Sequence, residues 1–259
     1  KKFIKVYGST EYKNLFKIRY QNIDLPKRLI GSQTRQYINE FIKYEKAKPS
    51  DLIEIHNRPI YLKYLSEKLN SRTYTLFFHN DPLSMEGSKS ANDRNFLLRN
   101  SYRIIFNSKW SKSRFLEGLD HKFINSEKLI VINQSAKKNK INLKSKKKII
   151  TFVGKLNKAK GYDIFGKAII KILNKYKNWS SIVIGDEPRD KIVFNHSRLN
   201  KLGFKKHDDV LNIYKKTSIA VVCSRWEEPF GRTSLEASAN GCAVIISNRG
   251  GLSETITNG

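Results

Sequence analysis

Residues 225–254 read RWEEPFGRTSLEASANGCAVIISNRGGLSE, from Arg225 to Glu254. A strand over Ser218–Val222 runs into this stretch, Pro229 and Gly231 break the chain, and Thr233–Ala239 resumes with helical spacing around Glu236. In an open parallel sheet, ligands bind at the carboxyl ends of the strands. The helix begins just after Phe230-Gly231, so its first N–H groups point into that crevice, with a glycine beside them that lets a phosphate approach. Glu228 lies in the loop and Glu236 about one turn into the helix. Two carboxylates bracketing a phosphate-binding turn can accept hydroxyls on either side of a diphosphate, a sugar on one side and a ribose on the other.

Upstream, Phe152-Val153-Gly154-Lys155 ends a strand over Ile149–Val153, and Lys158-Ala159-Lys160-Gly161 precedes a helix over Asp163–Tyr176 with apolar residues at 164, 165, 168, 169, 172 and 173. Lys155 and Lys160 are thereby placed to face the same crevice and to neutralise a leaving diphosphate without a metal. No Asp-x-Asp pair, the usual signature of a cation bridging a nucleotide diphosphate, is present; Asp186-Glu187 and Asp208-Asp209 are adjacent acids. Gly185-Asp186 ends the strand Ile182–Ile184 and is placed at the border of a nucleobase. Further strands are read at Ile219–Val222 and Ala243–Ile246, and helices at Val210–Tyr214 and Leu252–Ile256.

The same alternation fills the first half. Strands are read at Phe3–Tyr7, Leu52–Ile55, Tyr74–Phe78, Tyr102–Phe106 and Leu129–Ile132, with helices at Gln33–Glu45, Pro59–Leu69 and Ser111–Leu119. Strand–helix repetition implies parallel sheets flanked by helices. Residues 136–148 carry seven lysines and no acid, and read as an exposed linker. The expected organisation is therefore a first Rossmann-like domain over 1–148, ending in that linker, and a second over 149–259. His79 and His56 each close a strand of the first domain. His121, His196 and His207 read as surface residues, and Trp110 and Trp226 as packing residues.

Composition sets limits. The chain has 259 residues, 39% hydrophobic and 11% aromatic, enough for packed cores and too apolar for a disordered chain. Its longest apolar runs, such as Ile219–Cys223, fall far short of a membrane-spanning helix. Two cysteines, Cys223 and Cys242, exclude a disulfide scaffold and a four-cysteine zinc site. Fifty Lys and Arg against 23 Asp and Glu give a formal charge of +27. Residues 1–148 hold 32 basic and 13 acidic groups, net +19, so the excess sits mainly in the first half. Such a field attracts nucleic acid, anionic lipid or anionic substrates; biased composition on solvated faces is the competing explanation.

Taken together, Glu228 and Glu236 separated by seven residues, the surrounding EPFG, LEA, NGCAVI and GG-x-x-E, and GKLNKAKG over 154–161 resemble the family 4 retaining glycosyltransferases of the GT-B fold, the glycosyl transferases group 1. The likeness is strong over 149–259 and looser over 51–120. It implies that Glu228 binds donor-sugar hydroxyls and that Glu236 binds the ribose. Backbone N–H groups of Phe230, Gly231, Arg232 and Thr233 would hold the distal phosphate, with Gly154 and Gly185 lining the donor site. Lys155 and Lys160 would pair with the diphosphate. Lys155 stands where the family carries arginine, a point charge in place of a bidentate fork. His79, in His79-Asn80-Asp81, matches the family's histidine near the donor's reacting carbon.

The expected activity is transfer of a sugar, with retention, from a nucleotide-diphosphate donor to a glycan or lipid-linked acceptor in polysaccharide or lipopolysaccharide biosynthesis, without metal or other cofactor. The expected location is cytoplasmic, peripheral at the inner face of an anionic membrane. Residues 1–50 lack the Gly-rich loop that opens such a first domain, with Gly8 and Gly31 standing alone, and the second domain stops soon after Gly250-Gly251, so both domains read as incomplete. Two rival readings are a GT-B epimerase or phosphorylase, and a basic nucleic-acid-binding protein. The latter lacks the aromatic–basic interleaving, helix-turn-helix or zinc patterns of that class, and no nucleic-acid partner is expected.

Overall fold

A computed structural model describes residues 33–123, 125–137, 140–190 and 192–257. The chain divides into two compact units, one of residues 1–106 and 112–131, the other of residues 107–111 and 132–259. The strand expected at Phe3–Tyr7, together with Gly8 and Gly31, lies outside the described residues.

The first unit is built on α1 (Gln33–Ala47), β1 (Ile53–His56), α2 (Ile60–Lys68), β2 (Tyr74–Phe78), α3 (Ala91–Asn100), β3 (Arg103–Phe106) and β4 (Leu129–Val131). Its four strands form one parallel sheet in the order β1-β2-β3-β4. Alternating burial along β1 and β3 turns Ile53, Ile55, Ile104 and Phe106 inward. Phe78, Phe106 and Phe115 stack within 5.3–5.6 Å of one another as the aromatic centre of this core. The helix α3 was not expected from its short, mixed pattern. It is nucleated locally: Ser90 Oγ accepts the Asp93 N–H at 3.0 Å, and the Asp93 carboxylate accepts the Ser90 N–H at 3.2 Å. This reciprocal cap was readable as Ser-x-x-Asp. A further helix, α4 (Lys109–Leu116), follows β3.

The second unit contains β5 (Lys147–Val153), α5 (Tyr162–Lys175), β6 (Ser180–Ile184), β7 (Leu199–Lys201), α6 (His207–Lys216), β8 (Thr217–Val222), α7 (Arg232–Ala239) and β9 (Ala243–Ile246). All five strands are parallel, in the order β7-β6-β5-β8-β9. The sheet therefore grows outward in both directions from β5, and the switch between β5 and β8 opens a crevice beyond their carboxyl ends. Both faces are covered. Phe152, Tyr162, Phe165, Ile169 and Leu173 pack on one side, and Val210, Tyr214, Ala220 and Ala237 on the other. Between the sheet's two central strands, the Thr151 and Thr217 hydroxyls meet at 2.8 Å and satisfy each other where water is excluded. The edge strand β7 escaped the sequence reading because only Leu199 of its three residues is buried. Leu252–Ile256, expected as a helix, is a single 3-10 turn over Gly251–Glu254.

The lysine-rich segment differs from a plain solvated linker. Residues 132–148 lie with the second unit, and Lys147 and Lys148 already belong to β5. Lys144, Lys147 and Lys148 are exposed, but Lys146 turns inward, its Nζ donating to the carbonyls of Tyr214 at 2.9 Å and Asn240 at 2.6 Å. Burial pushes this ammonium below the usual lysine range, partly offset by Cys242 beside it. Lys146→Ala would leave two carbonyls short of a charged donor, with an expected loss of about 1.5–3 kcal/mol. Lys144→Ala, on the surface, should stay within about 0.5 kcal/mol of the parent. Urea unfolding of the two variants side by side checks the difference.

Candidate functional site

In the second unit, two loops at the carboxyl edge of the sheet are sewn together by their backbones. The Ala159 carbonyl accepts the N–H groups of both Arg225 at 2.9 Å and Trp226 at 3.0 Å, joining the loop after β5 to the loop after β8. Gly161, at φ +72°, lies so close that a Cβ there would fall 1.9 Å from the Cys223 carbonyl oxygen. Only glycine permits both the dihedral and the approach. The consequence is the central contact of the site: Lys160 Nζ meets Glu228 Oε1 at 2.5 Å, across 68 residues of sequence. The Glu228 side chain is 12% exposed and that of Lys160 35%.

Glu228 is held from behind as well. Its carbonyl accepts the Gly251 N–H at 2.7 Å, and a parallel bridge pairs it with Gly250. A Cβ on Gly250, at φ +59°, would lie 2.3 Å from that same carbonyl oxygen. The consecutive glycines thus serve as a backbone clamp on the loop that carries the carboxylate. Glu254, three residues on, accepts the N–H groups of Lys109 and Trp110, both at 2.8 Å. It acts as a cap and touches none of the ligand-facing groups named above.

The loop then passes Phe230, whose ring is buried, to Gly231, where α7 starts. Its first N–H groups have no side-chain cap. Ser234 Oγ turns back to the Gly231 carbonyl at 2.7 Å and to Thr255 at 2.6 Å, fixing the turn from the inside. Glu236, one turn in, is 13% exposed; its Oε1 accepts from Arg232 Nη2 at 2.8 Å and Nε at 3.2 Å. Arg232, expected to contribute its N–H to a phosphate, therefore also commits its guanidinium to Glu236. His207 Nε2, at the start of α6, stands 3.1 Å from the same oxygen. That contact was missed. His207 read as a surface residue, and its side chain is indeed 58% exposed, but no local signal in the sequence links α6 to Glu236.

Gly154 and Gly185 meet at the ends of β5 and β6. The Gly154 N–H donates to the Ile184 carbonyl at 3.0 Å, and a Cβ on Gly185, at φ +131°, would lie 1.9 Å from the Gly154 carbonyl oxygen. Lys155 is exposed beside them. Glu187, in the adjoining loop, accepts from Arg189 Nε at 2.7 Å, and this hydrogen bond holds its carboxyl down at about 2. Trp226, expected to pack, is 54% exposed.

His79 lies in the first unit, at the end of β2. Asn57, itself at φ +57°, accepts the N–H groups of His79 at 3.2 Å and Asn80 at 3.1 Å through its Oδ1. The His79 Nε2 shares a hydrogen bond of 3.1 Å with His56 Nδ1, and the two rings stack at 5.4 Å. Burial, and secondarily the nearby His56, holds the His79 imidazole below the usual histidine range. Among the described residues no group of three or more His, Cys, Asp or Glu side chains could hold a metal ion.

Two α/β units, each built on a parallel sheet flanked by helices, are the architecture of the GT-B fold. Residues 133–259 match the family described as Glycosyl transferases group 1. Over 126 residues it is 33% identical to spore coat protein SA of Bacillus subtilis, covering 44% of this chain and 33% of that protein. Over 132 residues it is 30% identical to the lipopolysaccharide core biosynthesis mannosyltransferase LpsB of Rhizobium meliloti, covering 47% of this chain and 37% of that one. The chain thus spans about a third of the length of these curated relatives. Among solved structures, Anabaena Alr3699/HepE in complex with UDP and glucose superposes with a TM-score of 0.66 at 17% identity, over 100% of this chain and 76% of that one. A glycosyltransferase from Rickettsia africae does so with a TM-score of 0.72 at 19% identity, over 99% and 73%.

Proposed function

We propose that the protein transfers a sugar, with retention, from a nucleotide-diphosphate donor to a glycan or lipid-linked acceptor. The observation that carries this reading is the convergence of Glu228, Lys160 and the uncapped N-terminus of α7 at the switch point of the second sheet. An anionic diphosphate suits the helix N-terminus and the Lys155–Lys160 side of the crevice. The sugar hydroxyls suit Glu228, and the ribose hydroxyls suit Glu236. The family match, the UDP and glucose bound to HepE, and the lipopolysaccharide pathway named for LpsB all support the reading.

In the reaction so proposed, the bond between the donor's anomeric carbon and the diphosphate breaks on the face that the acceptor hydroxyl approaches. Charge then accumulates on the leaving diphosphate, where preorganised donors lower the barrier most. Lys160 and Lys155 supply the positive counter-charge without a metal. Lys160 also neutralises Glu228, which would otherwise repel the diphosphate from a few ångströms away. His79, anchored by Asn57, corresponds in this reading to the family's histidine near the donor's reacting carbon.

Lipid-linked acceptors and the net +19 of residues 1–148 together support a peripheral location at an anionic membrane surface. None of the described helices is long and apolar enough to cross a membrane.

Three outcomes are expected. Glu228→Gln should weaken intact nucleotide-sugar binding by about tenfold or more while changing nucleoside-diphosphate binding less, and Glu236→Gln should weaken both; a lost charge-assisted hydrogen bond of roughly 1.5–3 kcal/mol sets that scale. Isothermal titration across UDP, GDP and ADP and their sugars decides it, and equal small effects on every ligand would sink the assignment. Transfer should persist in EDTA; activity lost on chelation and restored by magnesium or manganese would refute a lysine-only site. The protein should sediment with anionic but not neutral vesicles, less so as salt rises because exposed charges are screened over about 8 Å at physiological ionic strength. Charge reversal at Lys137, Lys144, Lys147 and Lys148 tests the segment's share, and equal sedimentation with both lipids at low salt would remove the membrane from the proposal.

A further inference from the structure

Glu236 is contacted by two basic side chains of different kinds. Arg232 sits four residues earlier on the same helix, so it moves with Glu236 and is 61% exposed. Pairs of this kind are worth a few tenths of a kcal/mol in isolation and set no position relative to the rest of the site. His207 comes from a different element. It opens α6, whose Val210 and Tyr214 are buried against the sheet face that α7 also covers. Its Nε2 lies 3.1 Å from Oε1, at ion-pair distance from the carboxylate.

Both side chains meet Oε1. Among the described residues, Oε2 accepts no hydrogen bond. One oxygen is thus spent on holding the carboxylate and the other is left for a ligand. The other charged groups at this end of α6 are Lys205 and the N-cap residue Lys206 before His207, and Asp208 and Asp209 after it; among the described residues none of the four forms an ion pair with Glu236.

We propose that His207 is a positioning residue that fixes the Glu236 carboxylate, from α6, in the orientation that recognises the ribose hydroxyls of the donor. The inference rests on the assignment of Glu236 to the ribose. With His207 present, the carboxylate is tied to two helices and presents Oε2 in one direction. Without it, Arg232 alone remains, on the same helix as Glu236, and the carboxylate loses its tie to α6. The cost then falls on recognition of the hydroxyls, and the fold is left intact, because His207 is largely exposed at a helix terminus.

The test compares uridine diphosphate with its 2′,3′-dideoxy analogue by isothermal titration, with guanosine and adenosine diphosphates and their analogues run alongside. The parent chain should bind the ribose form about tenfold or more tightly than the dideoxy form. His207→Ala should reduce that ratio to within about threefold by weakening the ribose form and leaving the dideoxy form unchanged. His207→Gln, which returns an N–H at similar reach, should restore most of the ratio. A merely structural histidine would change both ligands in parallel, and that result, or a ratio unchanged in His207→Ala, overturns the proposal. A parent chain that binds both forms equally would instead overturn the ribose assignment of Glu236, and the positioning role with it. Matching thermal unfolding of the three proteins verifies that folded molecules are being compared.

Discussion

The candidate site depends on a backbone seam. Ala159 offers one carbonyl to two successive N–H groups of the loop after β8, and Gly161 lets the two chains approach to a distance that any side chain would forbid. Neither contact involves a group that meets a ligand. Yet together they determine that Lys160 reaches Glu228, and the Gly250-Gly251 clamp on the opposite side determines how far Glu228 can move. Side-chain chemistry at the crevice is positioned by hydrogen bonds and van der Waals limits in the main chain, which tolerate far less displacement than a flexible lysine would alone.

This explains what could and could not be read from the sequence. The strand Tyr74–Phe78 lies where its apolar run puts it, because burial on a sheet imprints hydrophobicity directly on sequence; Ala243–Ile246 was legible from its β-branched run, although none of its four residues is buried. The helix around Glu236 was legible for a related reason: Pro229 and Gly231 mark its start and Ala237 its buried face. The edge strand β7 and the helix α3 were not read. One buries a single leucine, and the other is held by a cap whose signature is four residues long. Lys146 shows a different limit, since one lysine among seven turned inward cannot be told from its neighbours without knowing that the carbonyls of Tyr214 and Asn240 meet there.

At the site, the residue types were legible and their partners were not. Glu228 and Glu236 stood out by spacing and surroundings. That Glu228 pairs with Lys160, Glu236 with Arg232 and His207, and Glu227 with Arg249 follows from loops meeting in three dimensions. The i,i+4 pair of Arg232 and Glu236 was accessible to helical geometry. The contact with His207 was not, because nothing in the helix α6 announces which side of α7 it faces.

The Lys160–Glu228 ion pair has a thermodynamic consequence. A lone hydroxyl ligand must displace an ammonium from the carboxylate and leave that ammonium without a counter-ion. An anion arriving at Lys160 provides the counter-ion and releases the carboxylate in the same event. Occupancy at one end of the crevice is therefore linked to affinity at the other, and linkage of this kind is reciprocal. A ligand that carries an anionic group and hydroxyls on one framework gains from both exchanges, whereas two fragments bound separately would each face a closed ion pair. Discrimination in favour of the intact, two-ended molecule is thus set by the resting pairing of the charges as well as by the shape of the crevice.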